Sequence, residues 1–261
     1  MNRIENKFKQ LKQQNKKALI AFITAGYPDL ATSAKLVLGL EKSGVDIIEL
    51  GVPFSDPLAD GPMIQDASKV ALQRGVNLKK ILALVKNLRR KTDIPICLMT
   101  YYNPVFSFKE ERFIRQAVDC GVDGVIIPDL PYEEGLRFNR LANQRGLINI
   151  CFIAPTSSAE RIKAIARVAR GFIYYVSLAG VTGSRKSLSP DLKTKLAVIK
   201  RSVHIPVCVG FGISDARQVR QVQAIADGAI VGSAIIAKIK SNLGRPQLIS
   251  KVNTFIRSLN V

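Results

Sequence analysis

Short apolar runs rich in β-branched residues recur along the chain, and Gly, Pro, Asn or Asp lies near the ends of each run. Continuous apolar runs of this length are typical of strands that are buried on both faces, as in parallel sheets. The pattern therefore predicts eight strands. They are Leu19–Thr24, Asp46–Leu50, Ile96–Thr100, Gly124–Pro128, Asn149–Ile153, Phe172–Ser177, Val207–Gly210 and Ala229–Gly232.

Segments of helical periodicity separate these strands. Apolar residues recur there at i, i+3 and i+4, as at Ile81, Leu84, Val85 and Leu88. Eight strands alternating with at least eight helices in roughly 250 residues indicate a (β/α)8 TIM barrel. A doubly wound open sheet is the alternative, although no GxGxxG motif follows the first strand. We expect a single TIM-barrel domain over residues 1–261, in which residues 1–17 form an extra N-terminal helix outside the barrel.

Three segments that precede or open predicted strands resemble one another. Residues 43–48 have the sequence SGVDII, residues 120–125 have CGVDGV, and residues 226–230 have ADGAI. Repeats at this spacing are typical of a closed ring of similar units. Similar chemistry in the loops that precede strands would produce the same resemblance.

Composition narrows the classes of function. Hydrophobic residues make up 47% of the 261 residues, enough for a packed core, and the four cysteines form no CxxC pair. The longest apolar runs hold about seven residues, too few to span a membrane. The formal net charge of +19 permits a nucleic-acid partner, but the basic runs lack the interleaved aromatic residues that stack on bases. We expect a soluble protein with reduced thiols and neither a nucleic-acid nor a membrane partner.

Glu49 is the first candidate for chemistry, because reactive groups of such barrels lie where strands end. Alternation of side chains along a strand places Val45, Ile47 and Glu49 on one face, so Glu49 would point into the barrel above two apolar neighbours. A carboxyl group in that setting has a raised pKa and can act as both acid and base. The alternative is an exposed glutamate at a strand end.

The loop after this strand is stiff and acidic. It contains three prolines, two glycines and the carboxylates of Asp56 and Asp60. Asp60 is either a second catalytic carboxylate or the cap of the next helix, whose start near Pro62 fits a proline at the first helical position. The single histidine, His204, precedes the seventh strand at the opposite end of the barrel. We therefore expect neither a metal site nor a histidine base.

Glycine-rich loops follow the last three predicted strands, at residues 179–184, 210–214 and 231–234. Glycines let backbone N–H groups approach an anion, and Ser233 would lie at a helix N-terminus, where the helix dipole favours negative charge. Barrels of this kind often bind phosphate after strands seven and eight. Together the three loops indicate a small phosphorylated substrate, although glycine also ends strands for geometric reasons.

The segment Glu49–Pro62, ELGVPFSDPLADGP, closely resembles the signature of the tryptophan synthase α subunit family. The resemblance runs along essentially the whole chain. It includes LMTYYNP at 98–104, PDLP at 128–131, AGVTG at 179–183 and GFGI at 210–213.

This resemblance implies a carbon–carbon lyase that splits indole-3-glycerol phosphate into indole and glyceraldehyde 3-phosphate by retro-aldol cleavage, with no cofactor in this chain. It implies that Glu49 is the acid–base group and that Asp60 holds the indole N–H. Leu58 is matched as a further contact of the indole ring, and residues 180–189 as a lid. The residues matched to substrate binding are Phe22, Tyr174, Thr182, Gly183, Phe211, Gly212, Gly232 and Ser233.

The same resemblance implies an α2β2 tetramer with a β subunit that carries pyridoxal phosphate and receives the indole. It also implies a soluble enzyme of a bacterial-type cytoplasm or a plastid stroma, since no transit peptide is visible. The residues matched to the partner-facing surface are Phe54, Asp56, Pro57, Asn103, Pro104 and Asp129.

Three other functions remain open at this point. The chain could be a different phosphate-binding barrel, such as an isomerase or epimerase, although metal-dependent epimerases need histidine ligands. It could be a non-catalytic subunit that activates its partner, against which the presence of both Glu49 and Asp60 speaks. A basic nucleic-acid-binding role would show as salt-sensitive retention on DNA.

Overall fold

A computed structural model describes residues 2–176, 191–210 and 212–260. In the described ranges, eight parallel strands close into a barrel in chain order, with β8 pairing β1. This confirms the predicted (β/α)8 barrel. The strands are β1 Ala18–Thr24, β2 Ile47–Gly51, β3 Ile96–Met99, β4 Gly124–Ile126, β5 Ile148–Ile153, β6 Ile173–Val176, β7 Val207–Gly210 and β8 Gly228–Val231.

Helices surround the barrel, and several begin at side chains that can cap them. The side chains of Asp29, Asn77, Ser158 and Asp215 each accept a backbone N–H three residues later, which stabilises the first turn. No helix in the described ranges is long and apolar enough to cross a membrane. The helices are α1 Arg3–Gln13, α2 Leu30–Lys42, α3 Pro62–Gln73, α4 Leu78–Leu88, α5 Tyr102–Phe108, α6 Glu110–Asp119, α7 Leu136–Gln144, α8 Ala159–Val168, α9 Leu192–Ser202, α10 Ala216–Gln223, α11 Ser233–Lys240 and α12 Leu248–Leu259.

Helix α1 closes the amino-terminal end of the barrel. It lies outside the ring of strands, but its apolar side chains Ile4, Phe8 and Leu11 are buried in the same cluster as side chains from the barrel interior. A Cβ atom on Gly124 would lie 2.9 Å from the Ile4 Cδ1 atom, so the glycine makes room for Ile4. The Phe8 ring packs 5.7 Å from that of Phe172, centroid to centroid. The interior is therefore sealed at this end.

Three aspartates tie neighbouring strands together at the same end of the barrel. They belong to the three similar segments of the sequence, and each accepts a backbone N–H from the adjacent strand region with one carboxylate oxygen. The pairs are Asp46 with Leu19 at 2.9 Å, Asp123 with Ile96 at 2.8 Å and Asp227 with Val207 at 3.0 Å. The repeated aspartate thus serves the architecture of the barrel at the end opposite to the predicted chemistry.

Candidate active site

Glu49 lies on the inner face of the barrel, opposite Phe22 on β1 and Cys97 on β3. Its side chain is fully buried, and neither carboxylate oxygen has a hydrogen-bond partner among the described residues. Burial raises the pKa of Glu49 to about 8, because the charged form loses its hydration. The structure therefore excludes the exposed alternative. At physiological pH the neutral carboxyl group can give a proton, and the carboxylate that remains can then take one.

The surroundings of Glu49 are apolar or neutral. The Cys97 and Cys208 thiols are buried inside the barrel, and burial together with the nearby Glu49 carboxylate raises their pKa values well above the ordinary range. Both thiols are therefore neutral and cannot act as counter-charges for Glu49. Within the described residues, no three or more His, Cys, Asp or Glu side chains form a group that could hold a metal ion.

Asp60 lies in the loop between β2 and α3, where one carboxylate oxygen accepts the Tyr101 hydroxyl at 3.2 Å. Helix α3 begins after Gly61 with Pro62 at its first turn and has no side-chain cap, so the capping alternative for Asp60 is wrong. Burial raises the pKa of Asp60 to about 6, although the Tyr101 hydrogen bond acts in the opposite direction. Asp60 is thus ionised at neutral pH, and within the described residues no donor contacts its second carboxylate oxygen.

Tyr174 lies on β6 and is buried on the inner face of the barrel. Burial raises its pKa well above the ordinary value, and the negative charges of Glu49 and Asp60 raise it further. The phenol therefore stays neutral, and it is near enough to both carboxylates to feel their charge. Its ring packs 5.0 Å from that of Phe152, centroid to centroid.

Two aromatic rings at this end of the barrel lie directly over glycines. A Cβ atom on Gly51 would lie 2.6 Å from Phe22 Cζ, and one on Gly210 would lie 2.5 Å from the Tyr174 hydroxyl. Neither position can take a larger residue unless a ring moves. Flat aromatic faces beside two carboxylates suit a planar apolar ligand that also carries a polar N–H.

The predicted phosphate loops are described in part. Ser233 is the first residue of α11, and the preceding Gly232 offers no side-chain cap, so the first N–H groups of that helix have no side-chain acceptor from the cap position. Gly212 has a φ of +73°, and among the described residues no atom of another part of the chain lies within 4 Å of its Cβ position. Thr182, Gly183, Phe211 and the expected lid at residues 180–189 lie outside the described residues.

Comparison with known proteins settles the family. Residues 8–260 match the family model described as tryptophan synthase alpha chain. The chain belongs to the tryptophan synthase alpha chain family. A tryptophan synthase alpha chain from Geotalea daltonii is 50% identical over 259 residues, covering 99% of this chain and 98% of the relative. Tryptophan synthases are lyases of tryptophan biosynthesis, so the chain is an enzyme component of that class.

Solved structures of the tryptophan synthase family have the same fold. The alpha subunit from Legionella pneumophila superposes with a TM-score of 0.92 at 38% identity and covers 99% of this chain and 97% of its own. A chain from the tryptophan synthase complex of Pyrococcus furiosus superposes with a TM-score of 0.86 at 34% identity, covering 93% of this chain and 97% of its own.

The residues that the sequence resemblance assigns to a partner-facing surface lie in the segments that follow β2, β3 and β4, at the same end of the barrel as Glu49. Asp56 and Asn103 are exposed, and Phe54 and Pro57 are partly exposed. Asn103 and Pro104 lie in the first turn of α5. Proline is tolerated there because the first N–H groups of a helix have no intrahelical acceptor.

The surroundings of two side chains in this region, Leu58 and Tyr101, differ from what the sequence indicates. Leu58 was matched to the indole ring, but its side chain is 94% exposed and points into solvent. Tyr101 belongs to the LMTYYNP segment, whose pattern predicts no role for this tyrosine, yet its hydroxyl accepts the Ala59 amide at 2.9 Å and donates to Asp60. Only the repetition of tyrosine directly after β3, where reactive groups lie, could have drawn attention to Tyr101.

Proposed function

We propose that this chain cleaves indole-3-glycerol phosphate to indole and glyceraldehyde 3-phosphate. The observation that carries the proposal is the fully buried, unpartnered Glu49 carboxyl at the carboxyl end of β2, in a barrel that also holds Asp60 at that end. Unsatisfied buried oxygens cost free energy unless a ligand supplies their partners. Membership of the tryptophan synthase alpha chain family supports the choice of substrate.

Glu49 would move both protons of the reaction. In its neutral form it donates a proton to C3 of the indole ring, which leaves a positively charged N1–C2 iminium. The resulting carboxylate then takes the proton of the glycerol hydroxyl next to the ring. The bond between C3 and that carbon breaks, its electron pair restores the C2–C3 double bond of indole, and the oxygen becomes the aldehyde of the product. Glu49 ends the cycle protonated, as it began, with a pKa near 8 that suits both roles.

Asp60 would stabilise the charge that develops on the ring. Its free carboxylate oxygen accepts the indole N–H, whose nitrogen becomes positive when C3 is protonated. A fixed negative charge at that point lowers the energy of the transition state more than that of the substrate. The hydrogen bond from Tyr101 keeps the other oxygen in place.

The remaining contacts would bind the two ends of the substrate. Phe22 and Tyr174 would supply apolar faces for the indole ring, and Phe211 and Thr182 are proposed as further contacts of the ring. The phosphate would be held by Gly183, Gly212, Gly232 and Ser233, with the N-terminus of α11 favouring its charge. The reaction uses no cofactor in this chain.

We further propose that the chain functions with a β subunit in an α2β2 tetramer, and that the pyridoxal phosphate belongs to that partner. The nearly complete exposure of Leu58 beside Asp56 and Pro57 supports a protein surface at this end of the barrel. Asn103, Pro104 and Asp129 would extend the same surface. The solved tryptophan synthase complex from Pyrococcus furiosus supports the partnership by analogy. A bacterial-type cytoplasm would be its compartment.

The decisive experiment follows glyceraldehyde 3-phosphate release with a coupled dehydrogenase, for the unmodified chain and for Glu49→Gln, each with and without a β subunit. We expect cleavage by the unmodified chain that rises with the β subunit and is lost in Glu49→Gln, since glutamine has nearly the same volume but carries no transferable proton. Asp66→Asn, an exposed carboxylate paired with Lys240 on the barrel surface, is the matched control and should retain activity. A folded protein that is inactive in every mixture would favour a non-catalytic subunit or another phosphorylated substrate.

A further inference from the structure

The hydrogen bond between Asp129 and Tyr102 joins two loops at the active end of the barrel. Asp129 follows β4, and its Oδ1 atom accepts the backbone N–H of Tyr102 at 2.8 Å. Tyr102 is the first residue of α5, and the residue at the cap position, Tyr101, makes no side-chain cap hydrogen bond. An aromatic residue cannot accept the first N–H groups of a helix as Asp, Asn or Ser does. Asp129 therefore supplies the cap of α5 from a different loop.

The residue that precedes this capped N–H is Tyr101, which organises the loop after β2. Its hydroxyl accepts the Ala59 amide at 2.9 Å and donates to Asp60 Oδ2 at 3.2 Å. Its ring lies 5.3 Å from that of Phe54, centroid to centroid. Because Tyr101 and Tyr102 share a peptide bond, fixing the Tyr102 N–H also limits where the Tyr101 hydroxyl can lie.

We propose that Asp129 is a positioning residue for Asp60, acting through the start of α5 and the Tyr101 hydroxyl. The proposal rests on the function proposed above and adds an internal role to a residue matched to the partner surface. Asp129 is exposed and is separated from Asp60 by Tyr101 and Tyr102, so it does not touch the substrate itself. Its effect on the reaction should therefore be measurable in the isolated full-length chain, where no partner contact can be lost.

The test compares kcat and KM of the isolated chain with those of Asp129→Ala, Asp129→Asn and Tyr101→Phe. Asp129→Ala should lower kcat by about five- to tenfold with little change in KM, the size expected from the loss of one helix cap. Asp129→Asn should retain most of the activity, because asparagine caps helices about as well as aspartate. Asp119→Ala, which removes an exposed carboxylate at the end of α6, is the matched control and should leave both constants unchanged.

The pH profile separates positioning from a general loss of structure. The Tyr101 hydrogen bond lowers the pKa of Asp60, so its weakening should move the acid limb of the rate profile to higher pH in Tyr101→Phe and Asp129→Ala alike. The double variant should be no slower than Tyr101→Phe, because both changes act on one contact. The proposal would be overturned if the two losses of kcat multiplied in the double variant. It would also be overturned if the acid limb of Asp129→Ala did not move.

A measurement that does not depend on catalysis tests the positioning role of Asp129 separately from the proposed function. A ¹³C-NMR titration of the Asp60 carboxyl, assigned with Asp60→Asn, should show a higher pKa in Asp129→Ala and Tyr101→Phe than in the unmodified chain, Asp129→Asn or Asp119→Ala. This result is expected whether or not the chain cleaves indole-3-glycerol phosphate. An Asp60 pKa that stays the same in Asp129→Ala contradicts the positioning role even if cleavage is observed.

Discussion

Phe22 and Glu49 lie opposite each other on β1 and β2, and the Phe22 ring extends over Gly51, two residues beyond Glu49 on the same face of β2. The ring thus forms an apolar wall next to the Glu49 carboxyl. Such a wall keeps water from the carboxylate and disfavours its charged form. The raised pKa of Glu49 therefore depends on a glycine that leaves room for an aromatic ring.

Gly51→Ala should impair cleavage by displacing this ring. The new Cβ would lie 2.6 Å from Phe22 Cζ and 2.7 Å from Phe22 Cε2, so the ring must leave its present position beside Glu49. We expect a loss of roughly 1–3 kcal/mol in the free energy of unfolding, typical of overpacking, together with reduced cleavage. Urea unfolding and the coupled assay measure the two effects. In a Phe22→Leu background, Gly51→Ala should lower the free energy of unfolding clearly less. An equal loss in that background would show that the Phe22 ring does not obstruct the added methyl group.

The pH dependence of cleavage should be bell-shaped. Asp60 must be ionised to stabilise the iminium, so kcat/KM should fall as the pH drops through about 6. Glu49 must start protonated, so kcat/KM should fall as the pH rises through about 8. Because kcat/KM reports ionisation in the free enzyme, the two limbs can be compared with these values directly.

Asp60→Asn provides the control for the acid limb. The variant should be roughly 100- to 1,000-fold slower, because one preorganised charge is lost from the transition state. Its residual activity should no longer decline near pH 6, while the limb near pH 8 should remain. If the decline near pH 6 persists in Asp60→Asn, another group sets that limb.

Glu49→Gln should become more stable relative to the unmodified chain as the pH rises. The Glu49 pKa is raised from 4.5 to about 8 in the folded chain, so folding favours the protonated form. The contribution of protonated Glu49 to stability is complete below pH 4.5. It is lost progressively up to pH 8, because Glu49 ionises at lower pH in the unfolded chain than in the folded one. At about 1.4 kcal/mol per pH unit over this interval, the difference reaches roughly 5 kcal/mol at high pH.

Urea unfolding at pH 5, 6.5, 8 and 9 would measure this difference. The gap between the two free energies of unfolding should widen between pH 5 and pH 8 and be constant above it. For Asp60→Asn the gap to the unmodified chain should widen at lower pH, between pH 3.8 and about 6, since the Asp60 pKa is raised over that range. A gap for Glu49→Gln that is the same at every pH would mean that Glu49 titrates normally.

The sequence predicted the strands well because strands buried on both faces are continuous apolar runs. Val207–Gly210 is correct at both ends. The fourth strand was predicted to reach Pro128 but ends at Ile126, where its pairing with both neighbouring strands, β3 and β5, stops. Apolar content alone could not reveal where this pairing stops.

For the candidate site, the sequence predicted the inward orientation of Glu49 but not the contacts of Asp60. Strand alternation fixes the direction of a side chain within β2, so burial of Glu49 follows from local pattern. The Asp60–Tyr101 contact joins two loops that are 41 positions apart, and no local pattern shows that they meet. For the same reason the sequence left open whether Asp60 caps α3.

The three aspartates at the amino-terminal end of the barrel should contribute to the stability of the fold and not to cleavage. Asp123, whose side chain is 4% exposed, bonds Arg89 at 2.6 Å and Arg3 at 3.1 Å besides the Ile96 amide. Asp123→Ala leaves the poorly exposed Arg89 without its counter-charge and the buried Ile96 N–H without its acceptor. Removal of one partner of such a pair costs about 3–5 kcal/mol of unfolding free energy.

Asp93→Ala is the matched control for Asp123→Ala. Asp93 also pairs with Arg3, at 3.2 Å, but its side chain is 89% exposed, so its loss should cost less than about 1 kcal/mol. Urea unfolding of both variants tests the contrast, and the coupled assay at a temperature where both are folded should give the kcat of the unmodified chain. Similar losses in the free energy of unfolding for Asp93→Ala and Asp123→Ala would contradict a stabilising role for the buried Asp123. A selective loss of kcat in folded Asp123→Ala would mean that this end of the barrel influences Glu49 through the interior packing.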